Sequence, residues 1–328
     1  MSYKLPIRPR RNRVNSSIRS LVQENQVTVD DLIMPLFVIE GEGQKIEVPS
    51  MPNIYRFSLD KLAAEVAELW ELGIKAVALF PAINDDLKDS VATESTNPQG
   101  LFQRAIQTVK QTCPDMLTIC DVAMDPYSSD GHDGFVENGE IINDITLPIL
   151  AKMAVAQAEA GADIIAPSDM MDGRVAVIRD VLDQAGFANV GILAYTAKYA
   201  SAFYGPFRDA LDSAPKAGDK KTYQMNPANT REALREAELD TAEGADMIMV
   251  KPGLPYLDVV QSLSQSSQLP IAVYNVSGEY AMLQAAAEKG WLDYRSSVCE
   301  TLMSFKRAGA DIILSYHAKE FATWQKEA

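Results

Sequence analysis

The phrase Glu159-Ala-Gly-Ala-Asp-Ile-Ile165 occurs twice more, nearly unchanged, as Glu243-Gly-Ala-Asp-Met-Ile248 and as Arg307-Ala-Gly-Ala-Asp-Ile-Ile313. Glycine just past the end of a helix takes up a left-handed conformation easily and turns the chain. Each phrase therefore predicts a helix end followed by a strand start. A looser version, Glu71-Leu-Gly-Ile-Lys-Ala-Val77, has the same order of features. This recurrence indicates that helices and strands alternate, as they do in parallel sheets.

Short apolar runs, separated by amphipathic segments, extend this plan along the chain. There are eight, at residues 32–39, 74–80, 116–124, 162–167, 190–195, 245–250, 270–276 and 310–316. Because eight strand and helix units close into a barrel, we predict a (β/α)8 TIM barrel over residues 31–328, preceded by an arm over residues 1–30. A doubly wound open sheet is the alternative, but we find no Gly-x-Gly-x-x-Gly fingerprint and no phosphate loop. The irregular stretch 201–229 is typical of a lid.

Composition narrows the class of protein. The chain has 328 residues, of which 47% are hydrophobic, enough for a large core. No apolar run approaches the roughly 20 residues of a membrane helix and no signal peptide opens the chain, so we expect a cytoplasmic protein with no membrane partner. The net charge of -15 disfavours nucleic acid as a partner. Three scattered cysteines favour a reducing compartment over a disulfide framework or a zinc cluster.

The first 20 residues depart from this acidic balance. They contain no acidic residue and six basic ones, namely Lys4, Arg8, Arg10, Arg11, Arg13 and Arg19. A basic arm on an acidic body predicts docking onto another copy of the chain, with a disordered tail or a nucleic-acid tail as alternatives. Apolar anchors at Leu5, Ile7 and Ile18 favour docking.

One predicted strand ends in an unusual residue. In Asp246-Met-Ile-Met-Val-Lys-Pro-Gly253 the apolar run leads directly into Lys251 before proline and glycine stop it. An amine at the mouth of an apolar cavity loses hydration, so its pKa falls and its neutral form can attack a carbonyl. The alternative is that Lys251 reaches water or pairs with a carboxylate.

In a TIM barrel the active site lies at the carboxyl ends of the strands. The fifth run leads to Lys198, so Lys198 and Lys251 should end adjacent strands and face the same mouth. Two neighbouring amines disfavour each other's protonation, which suits a reaction of two carbonyl substrates. The other polar residues near strand ends include Asp121, Asp125, Asp133, Ser168, Ser277 and Tyr316. With only two histidines in the chain, a histidine-centred mechanism has little to use.

Several long phrases resemble one family over nearly the whole chain, the porphobilinogen synthases or delta-aminolevulinic acid dehydratases. They are Arg8-Pro-Arg-Arg11, Ala166-Pro-Ser-Asp-Met-Met-Asp-Gly-Arg174, Ala197-Lys-Tyr-Ala-Ser-Ala-Phe-Tyr-Gly-Pro-Phe-Arg208, Tyr223-Gln-Met-Asn-Pro227, Met249-Val-Lys-Pro252 and Val276-Ser-Gly-Glu-Tyr-Ala-Met282. The resemblance implies that two molecules of 5-aminolevulinate condense to porphobilinogen with loss of two waters, in tetrapyrrole biosynthesis. It also implies a homo-octamer assembled through the arm.

The resemblance also implies roles for matching residues. Lys251 would form a Schiff base with one substrate and Lys198 with the other, and an iminium is a stronger electrophile than a ketone. The implied substrate contacts are Asp121 and Ser168, Arg208 and Lys220 on one carboxylate, and Ser277 and Tyr316 on the other. Lys220 is an arginine in some relatives, and the lysine lacks the bidentate fork of arginine.

The resemblance bears on metals as well. Zinc-dependent members have three cysteines where this chain has Ala123, Asp125 and Asp133, so no catalytic zinc is expected. Carboxylates suit magnesium or no metal, and Asp125 and Asp133 are candidate ligands, with a solvated acidic loop as the alternative. Asp130 stands where many relatives have histidine. Glu236 aligns with the activating magnesium site of the family, although by its sequence alone it belongs to a charged helix surface.

Two other functions fit parts of the sequence. A class I aldolase on the same barrel would also need a Schiff-base lysine, but it has no use for two. A barrel without activity could serve as a binding scaffold through its basic arm. The two lysines, the carboxylate-binding residues and the lid together favour the synthase.

Overall fold

A computed structural model of the chain describes residues 5–211 and 215–327. Residues 1–4, 212–214 and 328 lie outside the described residues, and with them Lys4 of the predicted arm and part of the predicted lid. The strands are β1 (Leu32–Val38), β2 (Lys45–Glu47), β3 (Tyr55–Phe57), β4 (Ala76–Pro81), β5 (Leu117–Val122), β6 (Val136–Glu137), β7 (Glu140–Ile141), β8 (Ile164–Pro167), β9 (Gly191–Lys198), β10 (Met247–Lys251), β11 (Ile271–Asn275) and β12 (Ile312–Ser315). The helices are α1 (Ser16–Leu21), α2 (Leu59–Glu71), α3 (Leu101–Thr112), α4 (Asn143–Ala160), α5 (Arg174–Gln184), α6 (Gly205–Leu211), α7 (Arg231–Ala242), α8 (Leu257–Ser266), α9 (Ser277–Glu288), α10 (Tyr294–Ala308) and α11 (Ala318–Lys326).

Eight of the strands form a closed parallel barrel in the order β1, β4, β5, β8, β9, β10, β11 and β12. The barrel closes where β12 pairs with β1, with Ile313 opposite Leu32 and Leu314 opposite Ile33. Each of these strands overlaps one of the eight predicted apolar runs, and their residues are largely buried because helices cover the outside. The predicted (β/α)8 TIM barrel is therefore confirmed, and closure rules out the open sheet.

The recurring Gly-Ala-Asp phrase turns the chain and also ties neighbouring strands together. Its glycines are left-handed in all three copies, at Gly161 (φ 107°), Gly244 (φ 104°) and Gly309 (φ 107°). The aspartate that follows accepts a backbone N–H from the preceding barrel strand, with Thr118 N donating to Asp163 at 2.8 Å, Ile192 N to Asp246 at 2.7 Å and Ile271 N to Asp311 at 2.9 Å. These bonds satisfy N–H groups at the amino ends of strands, which explains why an aspartate recurs two residues after the glycine.

Other features add to the barrel without changing it. An antiparallel hairpin of β2 and β3 extends the sheet beside β1, and a second hairpin pairs β6 with β7. The irregular stretch after β9 contains a 3-10 turn at Ala202–Tyr204 and then α6. In the described part of the arm Leu5, Ile7 and Leu21 are exposed, and the division into arm and barrel domains stays a prediction. No helix in the described ranges has both the length and the apolar content to cross a bilayer.

Candidate active site

The two predicted lysines lie side by side at the carboxyl ends of adjacent barrel strands. Lys251 of β10 is directly opposite Lys198 of β9 in the parallel pairing, and each residue is only 6% exposed. The parallel register forces both side chains toward the same mouth of the barrel. The structure therefore brings together the two amines that the sequence places at strand ends.

Aromatic rings surround the amine of Lys251. Its Nζ lies 5.1 Å from the ring centre of Tyr195, 5.3 Å from Tyr204, 5.1 Å from Phe207 and 4.6 Å from Tyr274. Loss of hydration and the neighbouring charge of Lys198 lower the pKa of Lys251 to about 7. In the described part of the chain its neighbours are rings and no carboxylate forms an ion pair with it, so Lys251 does not end its strand in water.

Lys198 has polar neighbours instead. Its Nζ donates to the carbonyl oxygen of Ser168 at 2.5 Å and lies 3.4 Å from Asp133 Oδ2. The two amines thus occupy different surroundings, one apolar and one hydrogen-bonded. A neutral nucleophile and a cation held by a carboxylate can exist side by side in this arrangement.

A third lysine completes a buried cluster of alternating charges. Lys220, from the predicted lid, lies 2.7 Å from Asp133 Oδ1 and 3.2 Å from Asp125 Oδ2. Asp133 is fully buried, and although burial opposes it, the charges of Lys198 and Lys220 hold the pKa of Asp133 well below its usual value. Burial raises the pKa of Asp125, with Lys220 opposing the rise. A solvated acidic loop therefore does not describe Asp133, and the ammonium of Lys220 occupies the space between the two candidate metal ligands.

Asp121 and Ser168 lie at the ends of β5 and β8, beside the lysines. Loss of hydration raises the pKa of Asp121 to about 6, against the opposing charge of Lys198 and a hydrogen bond with Ser168. A carboxyl group with a pKa near neutrality is suited to exchanging protons with a substrate. Ser168 is buried and presents both its hydroxyl and its carbonyl oxygen to this cluster.

The predicted carboxylate-binding residues come from the lid, from the start of α9 and from the end of β12. Ser277 begins α9, and its Oγ accepts the N–H of Phe207 at 3.0 Å. The hydroxyl of Tyr316 is 3.0 Å from that of Tyr274. Arg208 is a half-buried residue of α6, close enough to Tyr204 to act on it electrostatically.

Glu236 faces a cavity of about 910 Å³. Acidic side chains line this cavity, including Asp130, Asp172, Asp219, Glu232 and Glu236. Burial raises the pKa of Glu236, opposed by the charge of Arg174. Arg174 is itself buried and forms a two-pronged pair with Asp240 of α7, at 3.2 and 3.3 Å. Carboxylates crowded in this way fit a hydrated divalent cation, which needs few protein ligands. Within the described ranges, however, no group of three or more His, Cys, Asp or Glu is arranged to hold a metal ion.

The sequence did not reveal several contacts that complete the site. Four rings around Lys251 come from β9, β11 and the stretch after β9, so no single sequence pattern contains them. His132 joins the loop after β5 to the lid, because its ring nitrogens lie 3.1 Å from the hydroxyl of Tyr223 and 2.9 Å from the carbonyl oxygen of Ala217. Cross-chain contacts of this kind leave no periodic signal.

Known proteins resemble this chain over nearly all of it. The sequence model of the family "Delta-aminolevulinic acid dehydratase" matches residues 6–324. The chloroplastic delta-aminolevulinic acid dehydratase of Chlamydomonas reinhardtii is 54% identical over 98% of this chain and 85% of its own length. That of Bradyrhizobium diazoefficiens is 54% identical over 97% of this chain and 90% of its own.

A solved structure has the same fold and a similar sequence. The delta-aminolevulinic acid dehydratase (porphobilinogen synthase) of Toxoplasma gondii, crystallised with the reaction product porphobilinogen, superimposes with a TM-score of 0.97. It is 56% identical and covers 99% of this chain and 93% of that chain. The family model, the relatives and the solved structure all name the same family. The chain belongs to the delta-aminolevulinic acid dehydratase family.

Proposed function

We propose that this chain condenses two molecules of 5-aminolevulinate to porphobilinogen and two waters, the porphobilinogen synthase step of tetrapyrrole biosynthesis. The observation that carries the proposal is the pair of buried amines, Lys198 opposite Lys251, at one barrel mouth. A reaction of two ketones can use two amines, whereas an aldolase needs one. Family membership also favours the synthase over the aldolase alternative.

The reaction proceeds through the two lysine amines, each of which reacts with the ketone of one substrate. Neutral Lys251 Nζ adds to the ketone carbon of one substrate and loss of water gives an iminium; Lys198 does the same with the second substrate once its proton leaves. In one substrate, the carbon next to the former ketone carbon then bonds to the former ketone carbon of the other substrate. The carbon that has been attacked then releases its lysine. The amino group of one substrate displaces the other lysine and closes the ring. Both lysines return as amines, and the two waters come from the two ketones.

The remaining residues bind and move protons. Asp121, with a pKa of about 6 and a hydrogen bond to Ser168, accepts a proton from substrate carbon and returns it later. Arg208 and Lys220 hold one substrate carboxylate, and the hydroxyls of Ser277 and Tyr316 hold the other. Since Lys220 forms ion pairs with Asp125 and Asp133, binding of a substrate carboxylate would draw its ammonium away from them.

Metals have a limited part in this proposal. Asp125 and Asp133 bracket the ammonium of Lys220 and include no thiolate, which does not fit a catalytic zinc. Glu236 would supply a single carboxylate to a magnesium ion that keeps most of its water, away from the lysines. Such an ion would be activating and not catalytic. Three free cysteines fit a reducing location such as the cytoplasm.

One assay tests this function. Incubated with 5-aminolevulinate, the protein should form porphobilinogen, with activity unaffected by a zinc-selective chelator and lowered by removal of magnesium. Readdition of magnesium, but not of zinc, should restore the rate. Absence of product under all metal conditions would refute the synthase and favour the scaffold, while zinc-dependent turnover would contradict the proposed roles of Asp125 and Asp133.

The assembly proposed is a homo-octamer formed through the arm. In its described part, the arm exposes Leu5 (52%), Ile7 (83%) and Leu21 (84%), which a second copy would cover. The chain has a net charge of -15 although its first 20 residues are basic, so its body is acidic and complements the arginines of the arm.

Deleting residues 1–12 should therefore give a smaller assembly on a sizing column with light-scattering detection. Replacing Arg8, Arg10, Arg11 and Arg13 by glutamine keeps the apolar anchors and should weaken the assembly in a salt-sensitive way. An unchanged mass for the deletion would reject docking through the arm.

A further inference from the structure

A short segment over the active site packs so closely against α9 that one position of the helix has no room for a side chain. We call residues 202–211, the 3-10 turn and α6, the cover segment. A Cβ atom on Gly278 would lie 2.5 Å from the carbonyl oxygen of Phe203 and 2.8 Å from its Cα. Real Cβ atoms do not approach backbone so closely, so any residue but glycine at this position must displace something.

The side of α9 in this contact is firmly anchored. The buried carboxylate of Glu279 accepts the N–H of Val276 at 2.6 Å and that of Leu254 at 2.5 Å. A third bond comes from Asn275 Nδ2 at 3.2 Å. These bonds tie the first turn of α9 to the end of β11 and to the loop after β10, so we expect a methyl group on Gly278 to displace mainly the cover segment. Restoring ordinary contact requires a shift of roughly 1 Å.

The cover segment supplies two of the four rings around Lys251. Phe207 and Tyr204 lie on it, and the other two rings are on barrel strands. Phe207 also packs edge-on to Phe80 at 5.2 Å, and the Tyr204 hydroxyl donates to the carbonyl oxygen of Lys251 at 3.2 Å. Water reaches Lys251 if these two rings move away.

We propose that Gly278 is a positioning residue, whose lack of a side chain lets the cover segment pack on α9 and bring Phe207 and Tyr204 over Lys251. The inference rests on the proposed function, because it concerns how Lys251 is kept unprotonated for Schiff-base formation. A larger residue at position 278 lifts the rings, hydrates the amine and favours its ammonium form.

Most of the other ionisable groups near Lys251 lie away from this contact. They are Lys198 and Tyr195 on β9, Asp121 at the end of β5, Asp125 and Asp133 in the loop that follows, Tyr204 in the cover segment, and Tyr274 on β11. A substitution at Gly278 leaves these groups in place except Tyr204, which moves with the cover segment; the substituted residue also lies next to Glu279 of α9, whose pKa burial raises to about 7. The titration of Lys251 is measured on its own labelled peptide, so a shift in that variant reports the displacement of the cover segment, including Tyr204 and Arg208, from the amine.

The test uses Gly278→Ala, with Gly205→Ala as the matched control. Gly205 begins α6 with helical angles, and a Cβ there meets nothing within 4 Å. Reductive methylation of Lys251 at a series of pH values, followed by peptide mass spectrometry, gives the pH midpoint of its reactivity without any substrate. Wild type and Gly205→Ala should share one midpoint. Gly278→Ala should raise it by about one pH unit or more, so that labelling below the midpoint falls about tenfold.

The same shift should appear in the acid limb of kcat/KM for porphobilinogen formation. An unchanged midpoint in folded Gly278→Ala protein would overturn the inference. If that variant does not fold, Phe207→Leu removes the covering ring while keeping the backbone bond from residue 207 to Ser277 of α9, and an unchanged midpoint there would overturn the inference equally. Failure of wild type to form porphobilinogen would refute the proposed function instead, while the labelling comparison would still decide the role of Gly278.

Discussion

Lys251→Met is expected to abolish porphobilinogen formation, with a loss of roughly 10⁴-fold or more, as found when a covalent nucleophile is removed. Lys198 cannot take over, because its Nζ is bound to the carbonyl oxygen of Ser168 and lies beside Asp133. Even if Lys198 reacted, it would form a Schiff base with only one of the two ketones. Methionine has a similar length and packs well against rings, so the variant should fold.

The stability of Lys251→Met shows whether its activity is lost through the missing amine or through unfolding. Burial lowers the pKa of Lys251 to about 7, so the folded state disfavours an ammonium that the unfolded chain readily forms. Replacing this amine by an apolar group should leave the midpoint of thermal unfolding at pH 7 equal to or above that of the wild type. A variant that retained activity, or that lost activity only by unfolding, would contradict the assignment.

Borohydride trapping identifies the amine directly. With 5-aminolevulinate, reduction should fix a covalent adduct on Lys251 of the wild type, located by peptide mass spectrometry. The acid limb of the pH profile should have its midpoint near pH 7, because only the neutral amine attacks and the rate falls as Lys251 becomes protonated. Lys110→Met, which removes a lysine paired with Asp163 at the opposite ends of the strands, is the control and should keep both adduct and activity.

The sequence predicted what depends on local pattern. Apolar runs and left-handed glycines repeat along the chain, so the barrel follows from them, and two lysines at strand ends follow from the barrel. The partner of each aspartate in the Gly-Ala-Asp phrase did not follow, because Asp246 binds the N–H of Ile192 on another strand. Local sequence propensities do not predict a contact between residues so far apart in the chain.

The charge cluster shows the same limit more clearly. Lys220 matched a position that holds substrate, and the sequence offered no reason for it to meet Asp133, which lies 87 residues earlier. Likewise Phe207 belongs to a stretch that reads as irregular, yet its ring lies 5.1 Å from Lys251 Nζ. The chemistry of these residues depends on what burial places beside them, and only the fold determines that.

The buried cluster around Asp133 gives the second large effect. Asp133→Asn removes the carboxylate that faces both Lys198 and Lys220, and it should lower the free energy of unfolding by about 3–5 kcal/mol, because two buried ammonium groups lose their shared partner. Activity should fall as well, since Lys198 and Lys220 are no longer held in place. Urea unfolding and the porphobilinogen assay measure the two effects.

The pH dependence of this loss has a definite sign. The folded-state pKa of Asp133 lies below its usual value, so its stabilisation is fully present above about pH 4, the pKa of an unfolded aspartate. It disappears only as pH falls further, toward the folded-state pKa. The difference between wild type and Asp133→Asn should therefore be constant from pH 7 down to about pH 5 and shrink at more acidic pH.

Two further variants show whether charge is the cause. Asp183→Asn breaks an ion pair with Arg179 at 2.6 Å in which Asp183 is 53% exposed, and such surface pairs contribute only about 0–1 kcal/mol. Lys220→Met combined with Asp133→Asn removes an ammonium together with its partner. That double variant should regain part of the stability lost by Asp133→Asn, because one uncompensated buried charge is gone. If the stability loss of the double variant equalled the sum of the losses of the two single variants, the two side chains would act independently. The buried ion pair would then not explain the loss.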